Sequence, residues 1–257
     1  MIYDGHTHIW TLEGNALGDF EKDEIAEFKK MFSALNYSGL INSTSRQEFD
    51  SFKTIVNSYV SFGIHPWQAD DYTDRDFVVE VQTLAEVYEN ADAIGEIGLD
   101  SVWCDCKKED QMTVFVEQME IAQKLEKPVV LHFKGLEKDG LNVIEKYDLR
   151  KLIHWYSCED FLNEFIELDC YFTVGIDVLV DKKISAQIAQ EVPIDRILLE
   201  TDGTEAAEWG LRREVVPFEL PELLNESLAK VAKIRGVNKE RLEGQLRENF
   251  FRFLKGA

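Results

Sequence analysis

At 257 residues, with 45% hydrophobic and 30% charged side chains, the chain is long enough to bury a core of its own. Its 49 acidic residues exceed its 28 basic ones, and the net charge of −21 argues against a broad nucleic-acid-binding face, because such a surface repels polyanions at long range. A local cationic site or bound metals could still hold a phosphate.

No run approaches the ~20 apolar residues of a membrane span, and no N-terminal stretch reads as a signal peptide. The expectation is a cytoplasmic protein with no membrane contact and no obligate protein partner. Four cysteines (Cys104, Cys106, Cys158 and Cys170) do not make a disulfide framework in a chain of this size, and reduced thiols are expected.

In chain order, Met1-Ile2-Tyr3 reads as a short buried strand running into Asp4-Gly5-His6-Thr7-His8. Side chains two apart in extended backbone share a face, so His6 and His8 can point at one cation. A surface turn carrying two histidines is the plain alternative. An acidic helix follows over Asp19 to Leu35, with Phe20, Ile25, Phe28, Met31, Phe32 and Leu35 at helical spacing. Strand Tyr37 to Asn42 ends in Ser43-Thr44-Ser45, and Ser45 with Glu48 forms a capping box for a helix over Arg46 to Asn57. Strand Ser58 to Ile64 runs into His65-Pro66-Trp67, where Pro66 keeps His65 out of helical geometry.

The alternation continues with helix 76–90 and strand Ala91 to Asp100, then helix 109–126 and strand Pro128 to His132. Helix 138–148 precedes strand Lys151 to His154, and helix 158–168 precedes strand Cys170 to Gly175. Helix 181–191 precedes strand Arg196 to Asp202, which a long loop and two closing helices, 221–235 and 239–254, follow. Eight strand candidates separated by helices in ~250 residues match a single (β/α)8 TIM barrel. The expectation is therefore one α/β domain over residues 1–257, with a doubly wound open sheet as the alternative.

The polar residues that interrupt the strand ends carry the chemistry. His6 and His8 follow strand one, His65 strand three and His132 ends strand five; Glu96 lies in strand four, and His154 and Asp202 end strands six and eight. A barrel opens all its C-terminal strand ends onto one face, where enzyme sites lie. Imidazole and carboxylate ligands together suit Zn, Mn, Fe, Co or Ni better than an oxygen-only cage for Mg or Ca. Six candidate ligands (His6, His8, Glu96, His132, His154 and Asp202) exceed one tetrahedral site and suffice for two divalent ions sharing a carboxylate. Hydrolysis is the reaction type that follows.

The ordered set Asp4-x-His-x-His8, Gly63-Ile-His-Pro66, Gly95-Glu-Ile-Gly-Leu-Asp100, Val130-Leu-His132, Ile153-His154 and Leu199-Glu-Thr-Asp202 resembles the TatD family of metal-dependent hydrolases. The resemblance spans nearly the whole chain, including Gln111 to Pro128 and Glu248-Asn-Phe250. It implies a TIM barrel of amidohydrolase type, many of whose members are deoxyribonucleases. It also implies that His6, His8 and Asp202 ligate one metal, His132 and His154 the other, and that Glu96 bridges them. The ions would be two of Zn, Mn, Mg, Fe, Co or Ni. Asp202 would take the proton from the attacking water, and His65 would contact a phosphate oxygen. Asp4 and Asp100 would orient ligands, a strand-end cap being the alternative for Asp4.

The chain departs from the family where substrate should lie. Lys134 stands where an arginine is usual, preserving the charge but not bidentate phosphate recognition. His154-Trp-Tyr-Ser-Cys158 and Gly203-Thr204-Glu205 replace the usual continuations after strands six and eight. Arg212 and Arg213 are candidate substitutes for the family's basic residues, or two solvated arginines. Trp67, Trp103, Trp155 and Trp209 all follow strands, where they wall a pocket, stack on a base or simply pack. Cys104, Cys106 and Cys158 fall in mouth loops, where a third metal or a redox pair is a further reading. The leading expectation is a phosphodiesterase, as a 3′-exonuclease on single-stranded DNA or on a small phosphodiester. A small-molecule amidohydrolase, lactonase or phosphomonoesterase is the alternative, and a non-catalytic metal-binding protein the third.

Overall fold

The computed structural model describes residues 1–9, 19–34, 36–73 and 77–256, with side chains for all of these except 19–24, 34, 73 and 77–82. The expected helix residues Leu35 and 76, and the side chain of Phe20, lie outside the described residues.

Eight parallel strands follow one another in chain order around a nearly closed barrel. They are β1 (Ile2–Thr7), β2 (Tyr37–Ser43), β3 (Ser58–Phe62), β4 (Ala93–Asp100), β5 (Val129–Lys134), β6 (Lys151–Ile153), β7 (Tyr171–Gly175) and β8 (Ile197–Glu200). The helices outside it are α1 (Asp19–Ala34), α2 (Arg46–Phe52), α3 (Ala69–Thr73), α4 (Phe77–Asn90), α5 (Lys108–Leu125) and α6 (Glu137–Ile144). α7 (Leu162–Glu167), α8 (Lys183–Glu191), α9 (Gly203–Leu211), α10 (Leu220–Arg235) and α11 (Lys239–Lys255) complete them. Strands β2, β4, β5, β7 and β8 are buried along their whole length, as their continuous apolar runs require when helices cover the sheet.

The barrel has a plugged end and a polar end. Leu40, Ala93, Val130, Leu152 and Leu198, from the early part of their strands, pack with Phe250, Phe253 and Leu254 of α11. Tyr3 and Tyr59 add ring contacts to Phe250 at 5.2 and 5.4 Å. That apolar stopper leaves the late part of the strands, where the polar residues sit, as the face that can receive a ligand.

Closure at the seam between β8 and β1 is made by side chains as much as by backbone. The Asp202 N–H donates to the His6 carbonyl at 3.1 Å. The Asp4 carboxylate accepts from Thr201 N–H at 3.1 Å and from Thr201 Oγ1 at 2.6 Å. β4 and β5 meet most closely at Gly98, opposite His132 in the register, where a Cβ would lie 2.0 Å from the His132 carbonyl oxygen.

Several elements differ from the sequence expectation. The capping box of Ser45 and Glu48 forms, but α2 ends at Phe52 instead of Asn57. The chain there tightens into turns, with Asn57 in left-handed geometry (φ 62°) so that β3 can start at Ser58. Left-handed Phe161 (φ 65°) likewise delays α7 to Leu162, four residues past the expected start. The loop expected after β8 is instead α9, which begins at Gly203 directly after left-handed Asp202 turns the chain out of the barrel. Pro66–Gln68 forms a 3-10 turn leading into α3, which the sequence reading did not contain, while His65 is extended as expected.

Candidate metal centre

Because every strand runs the same way, residues spread over two hundred positions reach one mouth. His6 Nε2 lies 3.2 Å from His8 Nε2, 3.3 Å from Glu96 Oε1 and 3.1 Å from Asp202 Oδ1. His8 Nε2 lies 2.7 Å from Glu96 Oε1 and 3.4 Å from Asp202 Oδ1. The other oxygen of the same carboxylate, Glu96 Oε2, faces His132 Nδ1 at 3.2 Å and His154 Nε2 at 2.7 Å, and those two nitrogens are 3.0 Å apart. A four-coordinate ion with bonds of ~2.0–2.1 Å sets neighbouring ligand atoms ~3.3–3.4 Å apart, so both halves have the spacing of a metal cage.

Three groups bring donor atoms within 4.8 Å of one another: His6, His8 and Glu96; His6, His154 and Asp202; and His65, Glu96 and His132. All six expected ligands therefore converge. His65, expected on the substrate side, also stands within reach, its Nε2 3.7 Å from Glu96 Oε2.

The charges of the cluster hold one another. Burial would drive Glu96 and Asp202 toward their neutral acids, but the surrounding histidines keep Glu96 well below the usual carboxylate range and lower Asp202 as well. Burial opposes protonation of His6 and His154 too, yet the Glu96 charge, with Asp202 for His6, raises both rings. His65 behaves oppositely, pushed down to about 4 by burial and by neighbouring His132. Two ionised carboxylates ringed by imidazoles thus have the charge a dication would neutralise, and its binding would release the ring protons.

Side chains behind the cluster fix its geometry. Asp100 Oδ2 accepts from His132 Nε2 at 3.0 Å and from Trp67 Nε1 at 2.6 Å, while its Oδ1 takes the N–H groups of Val102 and Trp103. Burial would raise the Asp100 carboxyl, but these donors hold it far below its ordinary value. Asp4 holds backbone and hydroxyl groups. It accepts from His6 N–H, Thr201 N–H, Thr201 Oγ1 and the Tyr37 hydroxyl, and burial pushes it up to about 7. Asp4 thus fixes the His6 backbone at a strand end.

Asp4→Ala takes the acceptor from His6 N–H, Thr201 N–H and the Tyr37 hydroxyl, while the Thr201 hydroxyl can turn to Thr7 Oγ1 at 3.1 Å, and is expected to cost about 3–5 kcal/mol. Asp4→Asn keeps Oδ1 for the two backbone groups while both hydroxyls turn to accept, and is expected to cost about 1 kcal/mol. Urea denaturation of the two variants measures the difference.

Two supporting residues escaped the sequence reading. Asn42, at the end of β2, places its amide nitrogen 2.6 Å from His6 Nδ1 and accepts at Oδ1 from Ser61 Oγ. The strand-end rule that located the histidines would have found it. Glu200, fully buried in β8, accepts from Trp155 N–H at 2.7 Å and faces His154. It lies two residues before Asp202, so the same period-two argument used for His6 and His8 flags it.

Other candidates lie apart from the cluster or turn aside. Lys134 is buried and donates to the Trp155 carbonyl, and burial lowers its ammonium. Arg212 and Arg213 are exposed at the end of α9, where Arg213 pairs with Glu219 at 2.8 Å and donates to the Glu214 carbonyl. Cys106 lies against Trp67 O and Asp70, and burial pushes its thiol up to about 12; burial also raises Cys158. No metal-binding group among the described residues includes Cys104, Cys106 or Cys158. Trp155 is buried beside His154, but its ring meets Trp209 at 6.4 Å and Trp209 meets Trp103 at 6.4 Å, leading from the cluster to solvent.

Comparison with known proteins agrees with this geometry. The model of the family described as TatD related DNase matches residues 3–255. A Bacillus subtilis (strain 168) protein described as the uncharacterized metal-dependent hydrolase YabD is 24% identical, over 94% of this chain and 98% of its own. The human 3′-5′ RNA nuclease TATDN2 is 25% identical over 74% of this chain, which covers 26% of that protein. Among solved structures, the Escherichia coli K12 TatD homologue YJJV superposes with a TM-score of 0.78 at 20% identity, covering 98% of this chain and 97% of that one. Among the described residues no helix is long and apolar enough to cross a membrane.

Proposed function

The chain belongs to the TatD family of metal-dependent hydrolases, and from that premise we propose that it is a dinuclear phosphodiesterase, trimming single-stranded DNA from its 3′ end. The observation that carries the reading is Glu96, whose two oxygens serve two separate donor sets. His6, His8 and Asp202 would hold one divalent ion, His132 and His154 a second, with Glu96 available to both. Zn, Mn, Fe, Co and Ni suit these nitrogen and oxygen donors best, and Mg is admissible. Bound there, such ions supply Lewis acidity toward a phosphoryl oxygen and lower the pKa of water.

The chain's own residues do the rest. Asp202, ionised and partly exposed, is placed to take a proton from the attacking water. His65 stays neutral at physiological pH, and its Nδ1 accepts the Trp67 N–H at 3.3 Å. That tautomer leaves Nε2–H as a donor for a phosphate oxygen. Lys134 adds a cation close enough to feel the charges of Asp202, Glu200 and Glu96, and thereby offsets their repulsion of a phosphate.

Trp103 and Trp209, 61% and 57% exposed, supply π-faces for unpaired bases. Base stacking on an aromatic contributes about 1–3 kcal/mol, so Trp103→Ala or Trp209→Ala should raise KM for an oligonucleotide about 5- to 150-fold. Steady-state kinetics should find kcat nearly unchanged in both variants.

The net charge of −21, and lysine where the family usually has arginine, favour a second reading in which the bond is an amide, lactone or phosphomonoester of a small metabolite. A screen of protein reconstituted with Zn, Mn or Co on oligonucleotides, phosphodiesters, phosphomonoesters and lactones separates the two. Release of mononucleotides from 3′ ends supports the first. Inertness toward every phosphodiester, with turnover of a small ester, replaces it with the second.

A further inference from the structure

Two buried polar atoms in the site have no hydrogen-bond partner, His154 Nδ1 and Glu200 Oε2, and they face each other at 3.7 Å. Glu200 is not loosely placed, since its other oxygen takes the Trp155 N–H at 2.7 Å and the side chain is fully buried. The His154 ring is equally fixed, with Nε2 directed at Glu96 Oε2 and His132 Nδ1. A buried carboxylate oxygen without a donor is costly and calls for a reason.

We propose that Glu200 is a positioning residue for His154. The inference rests on reading His154 as a metal ligand through Nε2. A neutral imidazole that gives its Nε2 lone pair to a cation carries its one proton on Nδ1. Glu200 Oε2, facing Nδ1 at 3.7 Å, is the acceptor offered to that N–H, and its charge strengthens the ring as a donor to the ion. The neighbouring ring already has this arrangement: His132 turns Nδ1 toward Glu96 and holds Asp100 with Nε2 at 3.0 Å. Both rings of this half of the centre would then be backed by a buried carboxylate, one from β4 and one from β8.

Glu200→Gln tests the assignment while leaving most of the packing in place. The amide oxygen can keep the Trp155 N–H, and an NH2 group replaces the oxygen facing His154, so acceptance is lost. Metal-free E200Q is expected to melt at or above the wild-type temperature. Calorimetric titration with Zn or Mn should show one of two sites weakened ~10- to 100-fold. In the Zn-loaded wild type, proton NMR should show a slowly exchanging His154 Nδ1–H, and that resonance should be missing from the variant. Unchanged affinity in folded E200Q overturns the inference, as does a lowered melting temperature with unchanged affinity. Should E200Q fail to fold, lack of the protected Nδ1–H in the loaded wild type overturns it. A wild type that takes up neither ion overturns the metal reading itself, and this inference with it.

Discussion

Glu96→Ala is expected to reduce hydrolysis at least ~10³-fold, a loss that removal of one well-placed electrostatic group already approaches. The effect exceeds that of any single histidine because the carboxylate meets both donor sets, at 2.7 Å from His8 on one side and 2.7 Å from His154 on the other. Without it, Asp202 is the one carboxylate left beside His6 and His8, and His154 loses the Glu96 charge that raises it. On the proposed dinuclear reading, metal content should fall from two ions to one or none by elemental analysis, so activity and occupancy should fail together. Wild-type turnover by the variant would sink the shared-carboxylate reading. Glu96→Gln, nearly the same shape without the charge, should fail almost as badly and rule out a packing defect.

The second large effect is on stability. Gly98→Ala should cost about 4 kcal/mol or more, the range reserved for changes the fold cannot accommodate. The added methyl would sit 2.0 Å from the His132 carbonyl, at a φ of 150° that disfavours any side chain. The obstacle is a paired strand, not the movable tip of a side chain, so β4 and β5 would have to separate there. His132 would shift with them, and metal affinity should drop in whatever protein remains folded. Gly244→Ala is the control, lying in α11 with nothing within 4 Å of the added methyl. It should be neutral or stabilise by up to about 1 kcal/mol. Denaturant titration of both variants makes the comparison.

Strand identities and order were legible in the sequence because buried parallel strands are short apolar runs, and each polar interruption marks where a strand meets the mouth. The same logic led to His6, His8, His65, Glu96, His132, His154 and Asp202, which the fold brings together. Supporting residues were less legible for a physical reason. The strand-end position two residues before Asp202 marks Glu200 as facing the mouth, but its partner His154, 46 positions earlier in number, is seen only in the fold. Trp67 reads as an aromatic in a loop, yet its indole N–H holds Asp100, which in turn holds His132. Such links join strands distant in sequence, so no local pattern encodes them. Helix ends misread for a related reason: left-handed Asn57, Phe161 and Asp202 are set by where the next element must begin.

The seam described above also constrains how the chain can be assembled. Asp4 and Thr201 are 197 positions apart, and the His6 carbonyl waits on the Asp202 N–H. During synthesis β1 leaves the ribosome first, but its partner across the seam exists only once residue 202 of 257 has been made. Until then the growing sheet has two open edges, and one of them is the strand that carries His6. Edges of that kind pair readily with other chains. Chains cut short before β8 should therefore aggregate instead of accumulating as smaller folded proteins.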